Sequence, residues 1–474
     1  MLSRLLAGAS LLLVGAAGRA DPCITIPRAG LRVQGDVRVC PGVYRVPDPT
    51  EQGVLVVAAS ATRIDLTGVT IESGDSIPSR YVGVGVLSHG FDGVVVTGGR
   101  IRGYRYGVFL DGGRGHQVTG MDVSGSRAQP LQSTPIQYAE SDWLDIFDPD
   151  TFETYGGGVY LRHTDGASVT GVTAHGAQNG IGLFEATGTY VADNDVSGNS
   201  GWGIHLWRSS HNVIVRNVAS RNVRCESAAY SRGCDSAALL LRNACDSNLV
   251  ADNDLTESGD GFFLSGQPPA MDPSDGNVVV RNDASRSPHN AFESTFSDGN
   301  VFLDDRADSS DYGYWLGYSS HTLVRGSTIV GSRSAGIAIE HGRDNELRHN
   351  LVLGGNVGIR LFAPGGGVPS RTTVVTDNTI GRAGRGVVLE ATSGATLRGN
   401  VFDAVGTALV ADSAAWNATV VGNVFLGARD AWIVAPDLAA GGNYWAAPDV
   451  AATLARIKGR VSVLPWLPAS AAGY

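Results

Sequence analysis

One four-residue pattern organises the chain: a small residue, an apolar residue, any residue, and a second apolar residue. It appears as GVGV from Gly83, GVFL from Gly107, GVYL from Gly158, GIGL from Gly180, GIHL from Gly203 and ALLL from Ala238. It continues as GFFL from Gly261, AFES from Ala291, GYWL from Gly313, GIAI from Gly336, GIRL from Gly358, GVVL from Gly386, ALVA from Ala408 and AWIV from Ala431. Most successive starts lie about 22 to 24 residues apart, the signature of a solenoid built from stacked coils. Strict alternation predicts a strand whose second and fourth residues point inward and whose third points outward.

A second short strand follows in each coil. An Asn or Asp then stands at a nearly fixed offset from the start, as Asn194, Asn217, Asn253, Asp305, Asn350, Asn400 and Asn423. Asparagine tolerates left-handed turns and hydrogen-bonds neighbouring backbone, so these residues predict a stacked turn ladder of structural character. Two or three strands per coil without helical periodicity predict an all-β, single-domain parallel β-helix. The LxxLxL pattern of leucine-rich repeats is absent, and a propeller blade needs about 40 residues.

Residues 1–20 read as a secretory signal peptide, with Arg4 ahead of an apolar stretch too short to span a membrane. Residues 21–57 are expected to cap the N-terminal end, 58–440 to form the coils, and 441–474 to cap the other end with a short helix near Pro448 to Ile457. Four coils are lengthened, at 124–155, 221–236, 267–275 and 363–371. The first two insertions precede a first strand and the last two follow one, so they are expected to wall the outward face of the first strands into a groove.

Composition narrows the setting. A net charge of -10, with Lys458 the only lysine, leaves no basic face for nucleic acid. Five cysteines suit an exported chain, secreted or periplasmic. Cys23 with Cys40 and Cys225 with Cys234 are the expected bridges, leaving Cys245 free. No Cys/His cluster indicates zinc and no Met or His run indicates copper, so no cofactor is expected, with calcium left open. A monomer without a membrane span is expected.

Aligning the coils reveals columns on the outward face. His205, Glu293, Trp315 and Arg360 occupy one; Trp207, Arg242, Ser265, Thr295, Gly317 and Glu340 the next; Arg208, Tyr318 and His341 the third. Ser265, Thr295 and Gly317 form a low stretch between bulkier neighbours, a candidate depression. Flat rings with polar edges suit sugars, which nominates His205, Trp207, Arg208, Arg242, Trp315, Tyr318 and Arg360 as substrate-binding. Glu293 and Glu340 are candidate paired carboxylates for hydrolysis, with His341 as acid or base. The competing structural expectations are ion pairs, Glu185 with Arg208 and Glu340 with Arg360, and loops that simply cover the rings.

The stacked GIxL strands, YGYWLGYSS from Tyr312, GIAIEHGRDN from Gly336 and the terminal GNYW and PWL segments resemble the secreted right-handed parallel β-helix repeat proteins. These include NosD-like proteins and relatives in fold of pectate lyases. The resemblance implies a right-handed coil and a polysaccharide or oligosaccharide partner bound on one sheet. The expected activity is cleavage or modification of a carbohydrate, by a glycoside hydrolase or a uronate polysaccharide lyase, and the alternative is a non-catalytic NosD-like carbohydrate-binding or envelope accessory protein. MDPSDG from Met271 shares DPxD with mannuronan epimerases but lies in an insertion, and Arg456-Ile457-Lys458 lacks the carboxylate and histidine companions of the polygalacturonase signature.

Overall fold

The computed structural model describes residues 23–134, 136–137, 139–146, 154–225, 233–266 and 272–473. The expected signal peptide, Met271 and parts of three insertions lie outside the described residues. Within them the chain winds into a right-handed parallel β-helix with three faces. The first face is a 17-stranded sheet in which successive strands pair in parallel, from Leu31–Val33 and Leu55–Val57 through Val84–His89 and Tyr106–Asp111 to Ile457–Ser462. A 15-stranded parallel sheet forms the second face. The third face begins as three strands and ends as seven, with single parallel bridges between them running Asp122, Thr173, Asp195, Val218, Asp254, Asp283 and Arg306.

The small residue that opens each motif has a steric cause. A Cβ added at Gly107, Gly180, Gly313 or Gly358 would meet the carbonyl oxygen of the next coil at 2.4 to 2.7 Å. The second and fourth residues, such as Leu161, Leu206, Leu241, Phe262 and Ile337, fill the interior without exposure. Each such side chain contributes roughly 1.5 to 3 kcal/mol by leaving water. Tyr314 belongs with them, stacked on Phe292 at 4.9 Å, its hydroxyl hydrogen-bonded to Ser327 at 2.9 Å.

Two coils differ from the motif alignment. Val84 pairs with Tyr106 and Val86 with Val108, so Gly85, not Gly83, opens that coil. Near the C-terminus a register shift after Val405 aligns Leu409 with Ile433, so that coil opens at Trp432.

The asparagines form ladders of buried amides. In one, which starts at Asn194, Asn217, Asn253, Asn282 and Asp305 each accept the backbone N–H of the preceding ladder member. A second ladder joins Asn350, Asn378, Asn400, Asn423 and Asn443. A third, through Asn212, Asn248, Asn277 and Asn300, sits at another corner.

Segment 31–57 contributes strands to all three faces, and a Val450–Leu454 helix, capped by Asp449, precedes the last strand of the first sheet. Cys23 is bonded to Cys40 and Cys225 to Cys234, whereas Cys245 is free and buried. Burial pushes the Cys245 thiol up to about 12. Thiol reagents should therefore modify no cysteine in the native oxidised protein and one after unfolding in denaturant, a count that mass spectrometry reads directly. No described helix is long and apolar enough to cross a membrane.

Candidate functional site

The outward face of the first sheet divides into a covered half and an open half. On the covered half, Tyr106, Phe109, Tyr160, Trp202, Leu240 and Phe263 form an apolar stripe, which is costly to leave solvated. Leu144 and Ile146 of the first insertion pack on it. That insertion is pinned by Leu144, whose N–H donates to the Cys234 carbonyl at 3.2 Å, and by Arg242, which donates to the Ile146 carbonyl at 2.8 Å. The first insertion thus covers the sheet rather than walling a groove.

Three expected sugar contacts on this half are buried. Trp207 is 5% exposed and stacks on Phe184 at 5.7 Å. His205 is buried against Trp202, and burial followed by the Arg242 charge holds its imidazole down at about 3. Arg242 is fully buried, with its guanidinium donating to Ser265 and Gly266. The candidate depression is correspondingly closed, because Thr295 donates to Ser265 at 2.9 Å and both are buried. A ligand reaches none of these groups while they stay buried. Arg208 stays outside and pairs with Asp272 at 2.8 Å, while Glu185 pairs with His163 at 3.3 Å; the expected Glu185–Arg208 bridge is replaced by these two.

Beyond Asn290 the apolar stripe packed by Leu144 and Ile146 gives way to a second cluster with partly exposed rings. The open half carries Tyr312, Trp315, Ala338, Arg360 and Phe362, with Trp315 paired in register to Ala338 and Ala338 to Arg360. The small alanine lets the ring of Trp315 reach Phe362 edge-to-face at 5.7 Å, while Tyr312 holds it from the other side at 4.8 Å. Arg360 lies 4.2 Å over Phe362 and bonds Glu390 at 2.6 Å, so its carboxylate partner is Glu390 rather than Glu340.

Phe296, Tyr318 and His341 follow the strands at corners with φ of 52°, 54° and 49°. Left-handed backbone there costs roughly 1 to 2 kcal/mol per residue and turns the side chains off the sheet into one stack. Phe296 and Tyr318 lie 4.9 Å apart, and Tyr318 and His341 4.7 Å. Tyr318 is 48% exposed. The His341 ring bonds the Val368 carbonyl of the last insertion at 2.7 Å through Nδ1. Glu340 is half-buried beside this stack; burial raises its carboxyl, opposed by His341 and Arg360.

Glu293 faces a different set of neighbours from Glu340. Its carboxylate accepts a short bond from Asn290 and joins a buried group with Asp260 and His289, in which His289 meets Asp260 at 2.9 Å. Burial, then Asp260, pushes the Glu293 carboxyl up. Burial alone would lower His289, but Asp260 and Glu293 hold its imidazole above the ordinary value. Asp235 nearby is raised to about 7 by burial and by Asp260. Asp260 and His289 escaped the motif because they precede it. Asp260 and Asn290 open their strands where the register neighbours are Ala237 and Tyr312, so their polarity is a signal, and His289 stands one residue ahead of Asn290.

The repeat, the stacked sheets and this surface can be set beside known proteins. A model of the family described as periplasmic copper-binding protein (NosD) matches residues 67–258 and 238–453. The chain belongs to the NosD family. No curated protein matches it significantly. Among solved structures, this NosD-family protein is similar to a periplasmic alginate epimerase, with 13% identity over 82% of this chain and 84% of that one, at a TM-score of 0.45. It is also similar to the A-module of a mannuronan C-5 epimerase from Azotobacter vinelandii (13%, 79% and 88%, TM-score 0.46). A third is the family 28 exopolygalacturonase of Yersinia enterocolitica (10%, 79% and 70%, TM-score 0.43). At these identities the likeness concerns the fold alone.

Proposed function

We propose that this NosD-family protein works outside the cytoplasm and binds a polysaccharide or oligosaccharide along the open half of its first sheet. The observation that carries the reading is the cluster of partly exposed rings at Tyr312, Trp315 and Tyr318 with Arg360, Glu340 and His341 around them. Apolar ring surface combined with charged and hydroxyl edges is the composition that recognises sugars. The inner faces of the Phe296–Tyr318–His341 stack are occupied by one another, so that column offers ring edges and the Tyr318 hydroxyl. The two disulfides suit an oxidising compartment.

Copper, named in the family's description, is not part of this reading. Soft thiolate and thioether ligands select copper(I); among the described residues the one thioether, Met121, lies in the core and the one free thiol, Cys245, is buried and keeps its proton. Among the described residues the one group of three ligating side chains contains two carboxylates and one imidazole, a set weighted toward harder ions.

Catalysis is a second reading, favoured by Glu340, a carboxyl raised by burial beside the His341 imidazole. Glu293, committed to the Asp260–His289 group, is not its partner. A calorimetric panel of neutral and uronic oligosaccharides tests binding, with product analysis on the same panel. Binding without turnover is expected. Trp315→Ala should weaken it at least about tenfold, equivalent to about 1.4 kcal/mol. Turnover that Glu340→Gln abolishes while binding survives would establish the catalytic reading instead.

A further inference from the structure

We propose that Asp260, His289 and Glu293 bind one divalent metal cation of the hard to borderline class, at the boundary between the covered and open halves of the first sheet. The inference goes beyond saccharide binding and does not depend on it. Three lines of geometry lead to it.

The ligating atoms of the three side chains all lie within 4.8 Å of one another. Two ligands of one ion, each roughly 2.0 to 2.2 Å from it, stand at most about 4.4 Å apart. Cis ligands stand about 3 Å apart and only a trans pair reaches about 4.4 Å; His289 and Asp260, at 2.9 Å, already have the cis spacing, and side-chain rotation would have to draw the remaining atoms together.

Two acceptor atoms here have no donor. Asp260 Oδ2 and Asn290 Oδ1 are buried without a hydrogen-bond partner, and the Asp260 side chain is 1% exposed. Its other oxygen is already engaged, by the Asn290 N–H at 2.8 Å and by His289. A buried polar atom without a partner is expensive, and oxygens that lack donors are what a cation supplies a partner for.

The third line is charge. Several other carboxylates of the solenoid sit against arginines, as Glu72 does against Arg45 and Arg102 and Asp252 against Arg281. Asp260 and Glu293 form no ion pair with Arg or Lys among the described residues, and Asp235 adds a third carboxyl close by. Within the group itself one imidazole faces two carboxyls, a donor set whose charge a divalent ion matches. Carboxylate, amide and imidazole donors suit manganese-like ions better than copper(I). The His289 side chain is 24% exposed, leaving a route for the ion and room for water in its remaining positions.

Copper(II) outcompetes manganese at almost any N/O site, so the probe is manganese(II) alone, added to the metal-stripped full chain. Calorimetry should find one manganese ion per chain with a raised unfolding midpoint. Glu293→Gln and Asp260→Asn should weaken binding at least tenfold, while Glu257→Gln, in a surface pair with Arg286, should leave it unchanged. Anomalous diffraction at the manganese edge from soaked wild-type crystals decides the matter even if the variants do not fold. A peak among Asp260, His289 and Glu293 is expected. No peak there, manganese affinity indifferent to folded Glu293→Gln, or copper(I) bound by this group would overturn the proposal; in the first case shared protons alone hold the carboxyls together.

Discussion

Gly336→Val should cost the solenoid about 3 kcal/mol or more, the upper range for overpacking a close-packed site. A Cβ at Gly336 would stand 2.4 Å from Val352 Cγ1 and 2.7 Å from the Gly358 carbonyl oxygen. One is an interior side chain on the third strand of the same coil, Leu351–Leu353, and the other is backbone of the next coil, so neither can swing away as a surface side chain would. The branched side chain would force two coils apart and break parallel pairing between Ala335–Glu340 and Val357–Phe362. Because a solenoid is held by nearest-neighbour interfaces, the damage should appear as premature unfolding of the C-terminal coils. Denaturant titration reads the loss. A variant with an unchanged midpoint would mean the coil spacing is more compliant than the first strands indicate. Both close contacts are made by the Cβ itself, so Gly336→Ala should already lose stability, and valine should lose more because it adds two methyl groups.

Asn253→Ala should be comparably damaging, by about 3 kcal/mol, through hydrogen bonds rather than volume. Asn253 Oδ1 accepts from the Asn217 N–H at 2.9 Å and from its side-chain amide at 3.0 Å. Its own amide donates to the Ile214 carbonyl at 3.0 Å and to Asn282 Oδ1 at 2.9 Å. Alanine removes all four and strands groups that are buried, each at roughly 1 to 3 kcal/mol. At a pH where the carboxyl stays neutral, Asn253→Asp keeps the acceptor and offers one O–H in place of two N–H donors, so it should fall between wild type and alanine. Urea unfolding of the three proteins checks the order; an alanine variant within about 0.5 kcal/mol of wild type, the ordinary range for surface changes, would contradict the ladder's role.

How much of this was legible in the sequence depended on how local its cause is. Coil length, the inward strand positions and the asparagine corner follow from contacts that recur in each coil, so the alignment exposed them. The Gly83 coil misaligned because Gly83-Val84 and Gly85-Val86 are the same dipeptide, and only pairing with Tyr106 and Val108 separates them. Ala431 misaligned because a bulge adds a residue the pattern does not encode. Asn282, Asn378 and Asn443 belong to the ladders, although their lengthened or atypical coils hid the offset.

The surface was less legible, since its state depends on where long insertions land. Nothing near Leu144 or Ile146 in sequence says that they cover Tyr160, Leu240 and Phe263. The columns containing Trp207 and Arg242 therefore looked like an open groove. Trp315, Tyr318, Glu340, His341 and Arg360 were placed on one surface by the alignment, and the structure does bring them together there. Glu293 was aligned with that surface too, but its carboxylate turns back toward Asn290, and His289 and Asp260 lay outside the repeated motif.

Hydrogen exchange on the native protein, with and without a saturating oligosaccharide identified by the calorimetric panel, tests the central claim most directly. The account predicts added protection confined to residues 312–318, 335–341 and 357–371, the strands and last insertion of the open half. Protection centred instead on the second or third face, or on 139–146 over the covered half, would contradict it.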